Sequence, residues 1–331
     1  MGQALQKPIE KEFKSGSNLE RVLASGHFAV TGELGPPRSM NLDLINRKIA
    51  FLKGFVDAAN LTDNQTGIVR LSSIATSILC HQGGLEPVMQ MTCRDRNRLA
   101  MQSDLLGANI HGVKNVLCLS GDHQSFGDHP GTKNVHDIDS MQLIRMVSEM
   151  RDKNQFQNGV EIKGGGPKMF IGAAASPFSS PVEMRPLRLA KKVHAGADFT
   201  QTQMIFDMEK FKIYMRRIVD MGLHEKISIL AGVGPLKSAP MARFLDEKIP
   251  GIEVPQHLIE RMEDAVKDID KEDKEARQEA GRAEGIKICI EQIQKAKEIE
   301  GVAGVHIMAI EWEAAIESIV RGAGLFPRPM L

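Results

Sequence analysis

Short apolar runs alternate eight times with amphipathic stretches along this chain, and that alternation restricts its fold more than any other feature. The apolar runs are Phe28–Thr31 leading into Glu33, then Phe55–Leu61, Glu86–Met91, Lys114–Leu119, Met169–Ala174, Asp198–Met204, Lys226–Gly232 and Val302–Ile310. Helical spacing fills the intervals: Leu42, Ile45, Ile49 and Leu52, then Val69–Ile78 up to Gly83-Gly84, Arg98–Leu106, Ser140–Met150, Leu187–Ala195, Lys210–Met221, Met241–Leu245 and Leu258–Val266. Residues 270–300, rich in Glu, Lys, Arg and Ala, predict one long solvated helix with Ile286, Ile288, Cys289 and Ile293 on its buried side, and Ala314–Val320 closes the chain. Eight strands alternating with helices and no central reversal predict a parallel sheet closed into a (β/α)8 barrel. The expected organisation is one domain over residues 1–331. Residues 1–26 form an N-terminal helical extension, in which Ser17–Leu23 packs beside the barrel or plugs it. No G-x-G-x-x-G follows a strand, so a Rossmann nucleotide site is not expected. Two irregular insertions stand out, His123–Asn134 and the stretch around Gly164-Gly165-Gly166, the latter read as a flexible insertion rather than a phosphate loop.

Charge and cysteine usage narrow the partners. Lys and Arg number 42 against 42 Asp and Glu in 331 residues, so no basic field draws nucleic acid or an anionic membrane. A small molecule or another protein is the better partner. Cys80, Cys93, Cys118 and Cys289 lie far apart with no C-x-x-C pair, which argues against a disulfide framework, a zinc knuckle or an iron–sulfur cluster held by this chain alone. No apolar run approaches the roughly 18 residues of a membrane span, the amino terminus has no apolar signal core, and Gln6 stands where a myristoylation motif wants Ser or Thr. A cytoplasmic location without a membrane span is the expectation.

The stretch H-F-A-V-T-G-E-L-G-P-P-R-S, His27 to Ser39, sets a lone carboxylate, Glu33, where an apolar strand runs into Gly35, Pro36 and Pro37, which continue neither strand nor helix. A carboxylate so held has little freedom and is partly desolvated, which suits it to proton donation. The alternative is that Glu33 only caps a helix starting near Asn41. Barrel active sites gather at the carboxyl ends of the strands. Here these carry Glu33, Asn60 with Thr62, Gln90 with Thr92, Asp122, Ala174–Pro177, Gln203, Gly232–Pro235 and Glu311. That mouth is polar, with few charges and no His or Cys pair, so the chemistry calls for a cofactor. A rival metal cluster of His123, His129 and His136 lacks any fixed local spacing, and no metal is expected.

Six motifs in order, E-L-G-P-P-R, M-T-C, L-S-G-D, A-K-K-V-H-A-G-A-D, Q-T-Q-M-I-F-D and A-G-V-G-P-L, resemble the methylenetetrahydrofolate reductase family across nearly the whole chain. The resemblance implies a flavin, FAD or the shorter FMN, lying across the mouth. Its N5 would pass a hydride to the methylene carbon of 5,10-methylenetetrahydrofolate, giving 5-methyltetrahydrofolate. Glu33 matches the family acid that helps open the five-membered ring. Gln203 matches a folate-contacting glutamine, and Asp122 an aspartate beside flavin and pterin. Lys192, next to Lys191, matches a lysine able to meet a flavin phosphate. Asn60, Thr62, Gln90, Thr92, Ser120, Gly121 and Ala174 fall where the family contacts its cofactor.

Four positions depart from well-known bacterial members: Gln90 replaces a histidine, Ser120 an arginine, Ala174 a tyrosine and Trp312 a folate-site arginine. They leave open FAD against FMN and whether NAD(P)H is the direct donor. The pattern resembles the branch of acetogens and related anaerobes, which implies an iron–sulfur and zinc partner subunit as electron conduit. Two further readings are a non-catalytic folate-binding scaffold and a flavin-free barrel moving a methyl group from folate to a corrinoid.

Overall fold

A computed structural model describes residues 13–331; residues 1–12, the start of the expected extension and the site of Gln6, lie outside the described residues. Eight parallel strands close in chain order: β1 (Ala29–Leu34), β2 (Ala58–Leu61), β3 (Pro87–Thr92), β4 (Asn115–Leu119), β5 (Phe170–Ala175), β6 (Phe199–Met204), β7 (Ser228–Val233) and β8 (Val302–Ile307). The ring is completed where β8 pairs with β1, setting Thr31 beside His306. Around it run α1 (Asn18–Ala24), α2 (Leu42–Leu52), α3 (Ser73–Gln82), α4 (Arg98–Ile110), α5 (Ser140–Lys153), α6 (Arg185–Ala195), α7 (Met208–Asp220), α8 (Ala239–Lys248), α9 (Gln256–Asp264), α10 (Lys274–Lys297) and α11 (Ile316–Gly322). This is the (β/α)8 barrel expected from the alternation. The eighth strand ends earlier than expected, at Ile307 rather than Ile310. Beyond it the chain turns outward through Glu311, which adopts a left-handed φ of +50°.

The barrel interior is built in two layers of different character. At the amino-terminal end Ala29, Ala58, Val88, Leu117, Phe170, Phe199 and Leu230 make an apolar plug with Leu19 and Val22 of α1. Helix α1 therefore plugs the barrel rather than lying beside it. Glu86, just before β3, holds it there by accepting from the N–H groups of Asn18 and Leu19 at 2.6 and 2.9 Å, a carboxylate at a helix amino terminus. Gly172 on β5 leaves the room that Phe199 fills, since a Cβ there would lie 2.4 Å from the Phe199 ring. Above this layer the inward positions turn polar: Thr31, Asn60, Gln90, Gln201 and His306 are all buried.

The Gly164–Gly166 stretch leads into the amino-terminal end of β5, opposite the mouth; Gly164 and Gly165 are exposed, while Gly166 is packed, since a Cβ there would meet the Met150 carbonyl oxygen at 1.7 Å. Helix α10 buries Gly281, Gly285, Ile288, Cys289, Gln292, Ile293 and Ala296, while Ile286 is only half-buried. The two glycines were invisible to a hydrophobic pattern, yet a Cβ on Gly285 would stand 1.7 Å from the Leu236 carbonyl oxygen. By helix propensity alone Gly285→Ala gains about 1 kcal/mol. The close approach predicts instead a loss of about 1–3 kcal/mol in urea denaturation, and a stabilised variant would contradict this packing.

Candidate active site

At the carboxyl ends of the strands the polar layer opens into a cavity of about 550 Å³ whose wall includes Glu33, Asn60, Thr62, Gln90, Asp122, Ala174, Gln203, His306 and Lys237. Its floor is one hydrogen-bonded chain. Asn60 Nδ2 donates to Gln201 Oε1 at 2.7 Å, and Gln201 Nε2 donates to Asn60 Oδ1 and to Thr31 Oγ1, both at 3.0 Å. Having accepted from Gln201, the Thr31 hydroxyl has its own proton to give, and His306 Nδ1 lies 3.0 Å away against 3.4 Å for the Val305 carbonyl. With Nδ1 accepting, the hydrogen of a neutral His306 sits on Nε2. That nitrogen is 3.9 Å from Glu33 Oε2, and the two side chains are 4% and 13% exposed.

Glu33 is therefore a carboxylate at the edge of solvent with a fixed imidazole beneath it. It does not cap the following helix; Asn41 does, accepting from the Leu44 N–H. A register shift between Gln201 and Met204 separates the two glutamines of β6. There Gly232 N–H donates to Thr202 Oγ1, so Gln201 stays in the floor while Gln203 reaches the cavity wall.

Asp122 arrives from the loop after β4 and is exposed at the mouth. Its carboxylate accepts from the Thr66 N–H at 3.0 Å, in a turn where Asn64 and Thr66 both take left-handed φ, +45° and +56°. A Cβ on Gly127 would lie 1.9 Å from the Gly67 carbonyl oxygen, so the loops after β2 and β4 press together. Arg94, only 2% exposed, ties the same corner: it donates to the Asp122 and Asn64 carbonyls at 3.0 Å each and pairs with Asp95. Strained turns of this kind persist only where surrounding contacts hold them.

A smaller cavity of about 200 Å³ adjoins the mouth, and both are walled by Leu119, Ala174, Ala175 and Ser176. It is lined by Ser120, Ser140, Arg185, Arg188 and Lys192. Lys192 Nζ donates to the Ala174 carbonyl, and burial, together with the charges of Arg188 and Arg185, lowers its pKa from the ordinary lysine value to about 8. Three cations, of which Arg185 already donates to the Ser179 and Ser180 carbonyls, and several hydroxyls surround a small space whose chemistry suits a phosphate group. The polar wall of the main cavity also has unspent capacity, because Thr62 Oγ1 and Gln65 Oε1 are buried without a hydrogen-bond partner. The residues present thus fit an elongated polar ligand with a phosphate at one end.

The structure gathers Glu33, Asn60, Thr62, Gln90, Asp122, Ala174 and Gln203 at one mouth, with Ser120 and Lys192 in the adjoining cavity. Thr92, Gly121 and Lys191 line neither space. Thr92 Oγ1 donates instead to Asp63 Oδ2 at 2.9 Å, one layer behind the wall. Gly121 takes φ +89° to turn the backbone against Thr92 and Arg94, and Lys191 is exposed on α6. Sequence reasoning missed His306, Arg94, Arg185 and Arg188. His306 alone carried a usable signal: it alternates with Val305 and Ile307 inside an apolar run, which marks an inward polar position near a strand end.

His123 and His129 each engage Nδ1, with Ser125 Oγ and Asp128 Oδ1, both at 2.8 Å. Among the described residues no group of three or more His, Cys, Asp or Glu could hold a metal ion, and no helix is long and apolar enough to cross a membrane. The four cysteines are free and buried.

A family model described as methylenetetrahydrofolate reductase matches residues 18–324. The probable methylenetetrahydrofolate reductase (NADPH) of Caenorhabditis elegans is 25% identical over 323 residues, which is 93% of this chain and 44% of that protein. The 5,10-methylenetetrahydrofolate reductase of Salmonella typhimurium is 24% identical over 226 residues, 66% of this chain and 68% of its own. The chain spans less than half the length of the first of these relatives. An uncharacterized protein from Clostridium thermocellum, solved with two copies of 5-methyl-5,6,7,8-tetrahydrofolic acid, shares the fold with a TM-score of 0.60 at 13% identity, covering 92% of this chain and 97% of that one. With the family match running from the helix that plugs the barrel to the end of the last helix, and most of the motif residues converging on one mouth, this chain belongs to the methylenetetrahydrofolate reductase family.

Proposed function

We propose that this chain reduces 5,10-methylenetetrahydrofolate to 5-methyltetrahydrofolate with a bound flavin. The observation that carries the reading is Glu33, a mouth carboxylate set against a fixed imidazole and joined through one cavity wall to a three-cation pocket. The flavin, FAD or FMN, would supply the hydride that converts the methylene carbon to a methyl group. In this reading Lys192, Arg185 and Arg188 hold a cofactor phosphate, and Thr62, Gln90 and Ala174 line its place in the mouth. Gln203 orients the pterin.

Glu33 gives its proton to the amine nitrogen that leaves the methylene carbon as the five-membered ring opens. The carboxylate left behind faces His306 Nε2–H, 3.9 Å away, whose dipole favours the charged form. Asp122 places negative charge where the ring-opened folate is a cation. The replacements at Ser120 and Ala174, where bacterial relatives contact their cofactor, favour delivery of electrons through a partner protein over direct reduction by NAD(P)H.

The test is a half-reaction: flavin-loaded protein is photoreduced without oxygen and mixed with methylenetetrahydrofolate. Reoxidation of the flavin with equimolar 5-methyltetrahydrofolate is the expected result. Reduced flavin left untouched by the folate would refute the proposal.

Lys192 adds a pH dependence with a definite sign. A phosphate favours the protonated lysine, so binding raises a pKa that stands near 8 in the free protein. Flavin affinity should hold steady up to about pH 7 and fall as pH rises through about 8, by up to about tenfold per unit, because proton uptake accompanies binding. Lys192→Met should bind more weakly with no such fall between pH 6.5 and 9.5. Flavin fluorescence quenching measures both, and equal slopes in the two proteins would contradict the role.

A further inference from the structure

Backbone pairing between β1 and β8 ends one residue short of the acid. The last registered pair is Gly32 with Ile307, and Glu33 is in register only with Asn60 on the β2 side. Beyond Ile307 the chain of β8 turns to β7, the Met308 N–H donating to the Val233 carbonyl at 2.8 Å. Yet Glu33 Oε2 stands 3.9 Å from His306 Nε2 across this seam. Contacts outside the sheet must keep the two strand ends together.

The loop after β1 cannot supply them from its own donors, because Pro36 and Pro37 have no N–H. Its three successive carbonyls are held from outside instead. Gly35 accepts from Lys48 Nζ at 3.2 Å, Pro36 from Arg70 Nη1 at 3.2 Å and Pro37 from the Leu71 N–H at 2.9 Å. Both cations also face carboxylates of the segment that follows β8. Lys48 Nζ pairs with Glu313 Oε1 at 2.5 Å, and Arg70 Nη2 lies 3.9 Å from Glu311 Oε1. Two side chains thus span the seam that the sheet leaves open.

The two ties are unequal. Glu311 is 68% exposed, so its attraction to Arg70 is screened by solvent. The Lys48 and Glu313 side chains are only 13% and 7% exposed. Ile45, Ile49 and Leu52 bury one face of α2, and that packing carries Lys48 to the Gly35 carbonyl. Taking two charges out of water is a poor route to stability, since the attraction does little more than offset the desolvation. What the pair provides is direction: an ammonium fixed by Glu313 presents its remaining hydrogens at one place, where the Gly35 carbonyl stands.

We propose that Lys48 is a positioning residue of the folate reaction, tying the carbonyl two residues beyond Glu33 to Glu313 and so holding the acid on β1 against His306 on β8. The inference rests on the proposed reaction, and Lys48 acts in it only through Glu33.

The experiment is single-turnover reoxidation of the photoreduced, flavin-loaded full chain by saturating methylenetetrahydrofolate, in the unmodified protein, Lys48→Met, Glu33→Gln and the variant carrying both changes. Lys48→Met keeps the apolar stem and removes the charge and the donor. Its reoxidation should be at least about tenfold slower, because a small misplacement of a reacting group suffices for that, with flavin binding and photoreduction unchanged and folate affinity within about threefold. In the Glu33→Gln background the same change should alter the rate by less than about twofold, since no transferable proton is left to misplace. Lys48→Arg, which keeps a cation between the same partners, should recover most of the rate.

A Lys48→Met rate within about threefold of the unmodified protein overturns the proposal, and so does an equal slowing in the Glu33→Gln background, which is what a general loosening of the site gives. Either result leaves the reductase reading standing. Reduced flavin that the folate fails to reoxidise in the unmodified protein overturns both. Where Lys48→Met strands Glu313 without its partner and fails to fold, Lys48→Met/Glu313→Gln removes both charges and carries the same expectations.

Discussion

A buried amide pair, Asn60 with Gln201, is the interaction on which the mouth of this barrel depends. Polar groups placed in the upper half of a closed barrel have no water to fall back on, so each must find its partner inside. The pair spends one amide proton on Thr31, and Thr31 spends its own on His306. The imidazole orientation facing Glu33 is thus set by residues on four strands, β1, β2, β6 and β8. Loss of any member leaves the next one unsatisfied in a site where that costs about 1–3 kcal/mol.

Charge is distributed on this frame with a clear division. The acid side chains Glu33 and Asp122 stand on the β1 and β4 sides of the cavity. Cations gather in two places on the rim, Lys192 with Arg185 and Arg188 on α6, and Lys237 with Arg282 between β7 and α10. A cofactor ending in phosphate would have its anchor at the α6 cations, with its reacting end over the amide floor. Anchoring by remote charged groups is how binding energy is turned into alignment of the reacting atoms. The strained Asn64–Gly67 turn and the clamp by Arg94 belong to the same design, because they hold Asp122 without help from a ligand.

The barrel was legible because its signal is repetitive: eight buried strands need eight apolar runs, and each run survives small errors at its ends. Glu33, Asn60, Thr62, Gln90, Asp122 and Gln203 were legible because strand ends can be counted and barrel chemistry collects there. What escaped detection did so for physical reasons. His306 looked like one residue within an apolar strand, and only the closure of β8 onto β1 brings it to Thr31 and Glu33. Arg94 follows β3 in a run of charges that reads as surface, yet its guanidinium is buried by loops distant in sequence. Gly281 and Gly285 carry no hydrophobic signal at all; their role lies in the atoms they lack. Arg282 sat in a stretch so rich in charge that a solvated face was the natural reading, and only the approach of α10 to Leu236 places it over Trp312.

The central claim is that Glu33 supplies the proton that lets the folate accept a hydride, and one measurement addresses it alone. Glu33→Gln keeps the size and hydrogen-bonding capacity of the side chain but removes the transferable proton. Flavin binding and chemical reduction should therefore survive. In single-turnover mixing of the pre-reduced variant with methylenetetrahydrofolate, the account predicts reoxidation slowed by at least about 10²-fold, the typical loss for a general acid. A rate within a few-fold of the unmodified protein would contradict it.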